Sequence, residues 1–370
     1  LDDFELNNSA RSDTLSIVGN LTTTAGKLDI TSGDAIHQTA GNIETTDLRI
    51  DAGGQALLQQ TGNEIANVLN ATTVGDFALY DSTGGLTFDG DVNTSNDGAV
   101  SITTLGGSLN IGIHDIAAVG AGSGFLSGAG VITSKDQSSI SLIDAGAGSI
   151  TLDGGSAGVT LAGDLTTTHN TANSVLIKDA TSVSLSNVTT GTSGILILGI
   201  DSNDEGVGAV TQSTGTKIIT GTVSGYAVRN STSKATITLD EVDNEFTQVG
   251  NITSAALDLY SKNTGGLTWV GDVDAAGTTT ITSAGAIDLA TFKLLSTGST
   301  LNLNGVGISQ STASDNRSTI ESATANLQAA SGSIDLLSEN NDFTGTVQLS
   351  ATGADAAVRD INALNLASIV

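Results

Sequence analysis

Residues 140–161 read ISLIDAGAGSITLDGGSAGVTL, and this stretch carries the pattern that recurs along the whole chain. It contains three apolar–polar–apolar triplets, which begin at Ile140, Ile150 and Val159. Alternation with a period of two is typical of a β-strand that buries one face. The clusters between the triplets are rich in glycine and are typical of turns. The pattern therefore predicts very short strands joined by tight turns.

The same triplets occur from one end of the sequence to the other. Examples are Leu28-Asp29-Ile30, Leu109-Asn110-Ile111, Leu257-Asp258-Leu259 and Leu301-Asn302-Leu303. Clusters of Gly, Asn, Asp, Ser and Thr connect them, and no segment has a convincing helical pattern. Short strands at close spacing can build a sandwich, a propeller or a solenoid.

A right-handed parallel β-helix is the favoured architecture. Sandwich strands are usually longer and are joined by Asn-Gly or Asp-Gly hairpins, which are scarce here. In a β-helix, each inward Val, Ile or Leu stacks on its equivalent one coil away, so few aromatic residues are needed. The absence of proline fits, because inner strands need every backbone N–H. Coils of roughly 20 to 25 residues predict a single elongated rod with on the order of 15 to 18 coils.

Three blocks of the sequence, near 36–112, 208–291 and 306–366, repeat the same order of residues. Each block has a glutamine near its start and an Asn-acidic-apolar triplet further along. The paired positions are Gln38 with Asn63, Gln212 with Asn244 and Gln310 with Asn341, which are 25, 32 and 31 residues apart. Internal repetition predicts a stack of like units instead of one globular core. We expect one continuous β-helix over residues 1–370, taken from a longer chain.

The first two blocks also share an aromatic position. Residues 83–92 match residues 264–273 at an offset of 181, which places Trp269 where Phe88 stands. Both aromatic residues end an alternating triplet. This position predicts a core residue in preference to an exposed platform for sugar binding.

Charge and composition restrict the possible partners. The chain has 39 acidic and 12 basic residues, with a formal net charge of −27. Nucleic acid is excluded as a partner, because binding phosphates needs a basic surface. The absence of cysteine excludes disulfides, and no apolar run reaches the roughly 18 residues that a membrane helix needs. Because the sequence starts at Leu1 without a signal peptide, we expect an internal fragment or a processed region.

One acidic loop is a candidate calcium site, and Ca²⁺ is the only cofactor for which the sequence offers a candidate. Hard cations prefer several carboxylate and carbonyl oxygens. The candidate ligands are Asp201, Asn203, Asp204 and Glu205. Their spacing does not match an EF-hand loop, so a solvated acidic turn stays the alternative interpretation.

No residue is nominated as catalytic. The three histidines, His37, His114 and His169, are scattered and lack the spacing of metal ligands, so we expect solvated surface positions. The sequence contains no nucleophile elbow, phosphate loop or zinc motif in a supporting context.

Three segments near the end of the chain carry a family resemblance. Residues 307–311 (GISQS), 341–349 (NDFTGTVQL) and 357–366 (AVRDINALNL) resemble large exoproteins of the filamentous haemagglutinin type. The earlier blocks depart from this pattern, since Ile65 replaces the phenylalanine. The resemblance implies a secreted adhesin of a Gram-negative bacterium, exported by a two-partner or autotransporter route. It also implies an extracellular or cell-surface location.

The partners implied by this resemblance are an outer-membrane secretion protein for the precursor and a receptor or glycan on a host or neighbouring cell. The favoured function is accordingly a non-enzymatic adhesin or stalk that gives reach and rigidity for attachment or cell–cell contact. A second class is an extracellular filament or surface layer formed by self-association. A third is a polysaccharide-active β-helix enzyme, which usually clusters acids, basic residues and aromatic platforms. One Trp and three Tyr give that class little support.

Overall fold

The computed structural model describes residues 2–82, 84–118, 120–134, 142–155, 157–202, 205–229, 233–311 and 318–369. Every regular element in these ranges is a β-strand. Within the same ranges, no helix is present that could cross a membrane. The chain divides into two compact units, Leu1–Gly194 and Ile195–Val370.

The first unit contains strands β1 to β23. Their bounds are β1 Phe4–Asn8, β2 Leu15–Ile17, β3 Leu21–Thr22, β4 Lys27–Ser32, β5 Ile36–Gln38, β6 Ile43–Ala52, β7 Ala56–Leu58, β8 Glu64–Thr73, β9 Phe77–Asp81, β10 Leu86–Phe88, β11 Val92–Thr94, β12 Val100–Thr104, β13 Leu109–Gly112, β14 Ile116–Ala118, β15 Gly124–Gly128, β16 Ile132–Ser134, β17 Leu142–Asp144, β18 Ile150–Asp153, β19 Val159–Thr160, β20 Asp164–Thr166, β21 Val175–Lys178, β22 Ala180–Leu185 and β23 Val188–Thr189. From β10 onward, strands pair in parallel with the strand three places later, as in β10–β13, β11–β14 and β12–β15. One coil is therefore made of three strands.

Aliphatic columns fill the interior of the first unit. One column passes through equivalent positions of seven successive coils, each paired with the next. It consists of Ile36, Ala56, Phe77, Val100, Gly124, Ile150 and Val175. All seven are buried, and coils paired in this way lie about 4.8 Å apart. Removing such columns from water, at about 25 cal/mol per Å² of apolar surface, is the main stabilising contribution.

The second triplet of residues 140–161 forms a strand as predicted, since it lies in β18. The third triplet contributes Val159 and Thr160 to β19, which ends before Leu161. The first triplet falls partly on β17, while Ile140 and Ser141 lie outside the described residues.

The second unit contains strands β24 to β43. Their bounds are β24 Ile195–Leu198, β25 Val207–Gln212, β26 Ile218–Tyr226, β27 Val228–Arg229, β28 Ser233–Lys234, β29 Ile237–Leu239, β30 Glu245–Ser254, β31 Leu257–Ser261, β32 Leu267–Trp269, β33 Val273–Ala275, β34 Thr279–Ser283, β35 Ile287–Asp288, β36 Lys293–Gly305, β37 Ile308–Ser309, β38 Thr319–Ala329, β39 Ile334–Leu336, β40 Asp342–Phe343, β41 Thr346–Ala351, β42 Ala356–Val358 and β43 Asn365–Ile369. Among the described residues of this unit, the strands pair in parallel except for β27 and β28, which form a small antiparallel hairpin.

Several strands of the second unit are longer than the predicted triplets, because they continue around a corner of the coil. Strand β36 pairs with β33 through its first half and with β34 through its second half. Its register with β38 shifts between Ser296 and Thr300, where Gly298 has a φ of +73°. A left-handed glycine of this kind lets the strand bend while hydrogen bonding continues on both sides.

The predicted all-β parallel β-solenoid is confirmed, with about 16 turns in the two units together. Coil length varies more than the sequence suggests. Partners one coil apart are 20 residues apart at Leu28 and Leu48, and 27 residues apart at Ile132 and Val159. The extra residues lie in turns, because an odd insertion within a strand would exchange its inner and outer faces. The right-handed sense of the coil and its continuity over residues 1–370 stay predictions.

The predicted core position of Trp269 is also confirmed. Its side chain is 1% exposed and pairs in register with Val249, just as the equivalent Phe88 pairs with Val68. The indole Nε1 is buried and has no hydrogen-bond partner in the structure. An unpartnered buried donor costs about 1–3 kcal/mol, so the indole stabilises the core less than its size suggests.

We predict that Trp269→Phe changes the free energy of unfolding by less than about 1 kcal/mol, because losing the unpartnered N–H offsets the lost apolar surface. Trp269→Ala should cost about 3–5 kcal/mol, since it leaves a cavity. Chemical unfolding followed by far-ultraviolet circular dichroism measures both changes. Equal losses in the two variants would contradict the prediction.

Candidate functional site

The glutamine and asparagine of each repeat bind each other inside the coil stack. Gln38 Nε2 donates to Asn63 Oδ1 at 2.7 Å, and Asn63 Nδ2 donates to Gln38 Oε1 at 2.9 Å. The equivalent pairs are Gln212 with Asn244, at 2.8 and 2.8 Å, and Gln310 with Asn341, at 2.9 and 2.9 Å. All three asparagines are 0% exposed. We call each reciprocal pair an amide clamp.

Each clamp also binds backbone groups of two coils. Asn63 Nδ2 donates to the Leu58 carbonyl at 3.1 Å, and the Ile43 N–H donates to Asn63 Oδ1 at 2.9 Å. The other two asparagines make the same two contacts, with Leu239 and Ile218 and with Leu336 and Ile320. Buried amide groups without partners would each cost about 1–3 kcal/mol. The clamp therefore provides hydrogen-bond partners at a corner of the coil, where backbone N–H and C=O groups of successive coils do not pair with each other.

A third polar side chain extends each clamp into the next coil. The Ile65 N–H donates to Asp81 Oδ1 at 3.0 Å. The equivalent contacts join Phe246 to Ser261 Oγ at 3.0 Å and Phe343 to Asp360 Oδ1 at 3.2 Å. Sequence reasoning missed these three residues. For Asp81 and Ser261, the sequence signal is a polar residue at an inward position of an alternating strand, β9 or β31. Asp360 follows β42 and lacks this signal.

The structure describes only part of the calcium candidate. Asp201 is exposed and Glu205 is half-buried, whereas Asn203 and Asp204 lie outside the described residues. The Glu205 N–H donates to the Ser202 carbonyl at 2.9 Å, which is a turn contact. Over the described ranges, no group of three or more His, Asp or Glu side chains is arranged to hold a metal ion. The calcium site stays a prediction from sequence.

The three histidines lie apart, each with its own local partner. Gln55 Nε2 lies 2.8 Å from His37 Nε2. His114 Nδ1 lies 3.5 Å from Asp91 Oδ1, and His169 Nδ1 lies 3.2 Å from Ser174 Oγ. The structure therefore does not bring them into a shared site.

The outer surface of the second unit contains a groove with a volume of about 460 Å³. It crosses four coils, since its lining comes from β24, β26, β30 and β33 and from residues that adjoin them. Registered pairs connect these strands, among them Ile197 with Ser224, Tyr226 with Thr253, and Thr253 with Asp274. We call this feature the surface groove. Sequence reasoning did not find it, because its residues are separated along the chain.

One carboxyl group on the outer face has a perturbed titration. Asp258 stands in register between Thr238 and Thr280. Partial burial raises the pKa of this carboxyl above its ordinary value of 3.8, and the nearby charge of Asp240 raises it further. Both effects penalise the ionised form.

Comparisons with known proteins give no match for this chain: no family model, no curated protein and no solved structure. The resemblance to filamentous haemagglutinin-type exoproteins thus stays a hypothesis that rests on the motifs at 307–311, 341–349 and 357–366.

We predict that Asn63→Ala lowers the free energy of unfolding by about 3 kcal/mol, because it leaves the Gln38 amide and two backbone groups without partners. Asn67→Ala is the matched control. Asn67 donates to Asp47 at 2.8 Å, and both side chains are only half-buried, so its loss should cost about 1 kcal/mol. Chemical unfolding of Asn63→Ala, Gln38→Ala and the double variant measures the coupling between the two amides. A coupling near zero would refute the clamp.

We predict that Asp258→Asn stabilises the protein at neutral pH. The native carboxyl keeps its proton to a higher pH than the unfolded one, so the wild type loses stability as pH rises above about 3.8 through the native pKa. The asparagine variant lacks this loss, and its advantage should vanish below pH 3.8. Thermal unfolding across this range tests the sign, with Asp335→Asn at an exposed position as the control. A gain that is independent of pH would contradict it.

Proposed function

We propose that this chain is a non-enzymatic part of a secreted or cell-surface bacterial protein, where it serves as an adhesin or stalk. The observation that most supports this function is the amide clamp, which occurs in both units. A slip of one residue between coils would turn the aliphatic columns outward. By tying two successive coils together at one corner, the clamp holds their register. A stack that resists slipping suits a support element, which must keep its length under load.

The charge of the chain is consistent with this role. The net charge of −27 favours solubility of a long polar surface and disfavours binding to nucleic acid. The resemblance to filamentous haemagglutinin-type exoproteins adds a Gram-negative source, an extracellular location and an outer-membrane secretion partner to the proposal.

A self-assembling filament is the second candidate, and one outer face of the second unit favours it. Asn302 Nδ2 donates to Thr280 Oγ1 at 3.2 Å, and Asn326 Nδ2 donates to Asn302 Oδ1 at 2.8 Å. These uncharged side chains form a regular column across three coils. The column carries no charge across these three coils, although Asp258 lies next to Thr280 in the preceding coil, so repulsion between two acidic chains is reduced along it.

Adhesion by the purified chain tests the main proposal. Beads coated with the chain should attach to epithelial monolayers or bacterial lawns at least several-fold more than beads coated with the heat-unfolded chain. Equal attachment would refute the adhesive function. Sedimentation velocity over a wide concentration range tests the filament, because a monomer at every concentration would exclude it. Release of reducing ends from polysaccharides would instead point to the enzyme class.

A further inference from the structure

We infer that the surface groove of the second unit binds an uncharged oligosaccharide. This inference rests on the proposed adhesive function, because the ligand would belong to the surface of another cell. The groove has a volume of about 460 Å³, which lies within the range of about 300–1,000 Å³ usual for small-ligand sites. The polar, apolar and charged side chains that line the groove indicate the ligand class.

Irregular backbone creates the groove. The register between β26 and β30 shifts between Val223 and Gly225, so the outer surface is uneven at this point. Gly199, with a φ of +82°, begins the connection from β24 to β25. A Cβ at Gly206 would clash with the Val228 carbonyl, so the end of this connection packs against the β27–β28 hairpin. The register shift, Gly199 and Gly206 thus give consecutive coils different outlines at this place.

Two polar side chains in the groove are oriented by hydrogen bonds from backbone N–H groups and have further polar atoms available for a ligand. Asn251 Oδ1 accepts the Asp272 N–H at 2.9 Å, which orients the Asn251 amide and leaves its two Nδ2 protons without a partner among the described residues. Asp272 Oδ1 accepts the Lys293 N–H at 2.9 Å, so its second oxygen can accept from a ligand. Asn251 and Asp272 thus offer a donor and an acceptor on neighbouring coils, about 4.8 Å apart along the stack, and a sugar hydroxyl group can pair with either.

Apolar groups share the groove with these polar side chains. Ile197, Ile200 and the half-buried Tyr226 contribute hydrocarbon surface. The C–H faces of a sugar ring pack on such surface, and a tyrosine ring offers it together with a polar hydroxyl. A purely ionic ligand would leave this surface in water.

Charge restricts the ligand further. The groove contains the carboxylates of Asp201, Asp272 and Asp274. Lys234 Nζ lies 2.7 Å from Asp274 Oδ1 and compensates that charge, which leaves the local balance negative. Uronic acids and sulfated sugars would be repelled. An uncharged saccharide uses the same carboxylates as acceptors for its hydroxyl protons.

Calorimetric titration with a panel of oligosaccharides tests the inference. Neutral oligomers of glucose, galactose and N-acetylglucosamine represent the expected class, oligogalacturonate the anionic class, and chitosan oligomers and hexalysine the cationic class. At least one neutral oligomer should bind. Asn251→Asp keeps the acceptor for the Asp272 N–H but removes the two donor protons, so it should weaken binding at least tenfold. Tyr226→Ala should weaken binding similarly, whereas Tyr260→Ala, on the outer face of β31, should not change it.

Three results would overturn the inference: no neutral oligomer binds, only cationic ligands bind, or Asn251→Asp binds as the wild type does. Circular dichroism of each variant verifies that the fold is retained. The bead assay separates this inference from the proposed function. Beads that attach although no saccharide binds would refute the groove and leave the adhesive function standing. Saccharide binding by beads that do not attach would contradict adhesion alone.

Discussion

Parallel pairing between successive coils imposes two demands: each backbone N–H must find an acceptor on a neighbouring coil, and each inward side chain must cover its equivalent. Strands with strict alternation meet both demands at once, which is why buried columns such as the one from Ile36 to Val175 run through many coils. A proline within a strand would break the pairing, and the chain has none. Stability is thus a sum of many similar interfaces between neighbours.

The corners are where this demand is hardest to meet, because the backbone turns and its groups no longer face the next coil. The amide clamps solve the problem with side chains. A carboxamide carries both a donor and an acceptor, so Asn63 can replace the missing backbone partners and bind Gln38 at the same time. An apolar residue of the same size could fill the space but would leave these groups unsatisfied. This explains why Gln38 and Asn63 are buried among apolar side chains.

The fold could be predicted from the sequence because period-two alternation is local. Leu301-Asn302-Leu303 reveals its strand in three residues, whereas the full length of β36, Lys293–Gly305, depends on a bend at Gly298 that has no apolar pattern. Gln310 and Asn341 were recognised as repeated, but their mutual contact was not predicted, since a spacing of 31 residues does not specify a neighbour. The surface groove was beyond sequence reasoning for the same reason. Asp201 was identified as an acidic loop residue, and only stacking places it near residues 251 and 272.

The clamps also matter for how such a chain acquires its structure. Each coil packs only against its neighbours, so a misalignment in an early coil would be copied by every coil that folds onto it. A buried amide pair is satisfied in only one alignment and is costly in all others. We therefore expect each of the three pairs to oppose misalignment during winding in the coils that it joins.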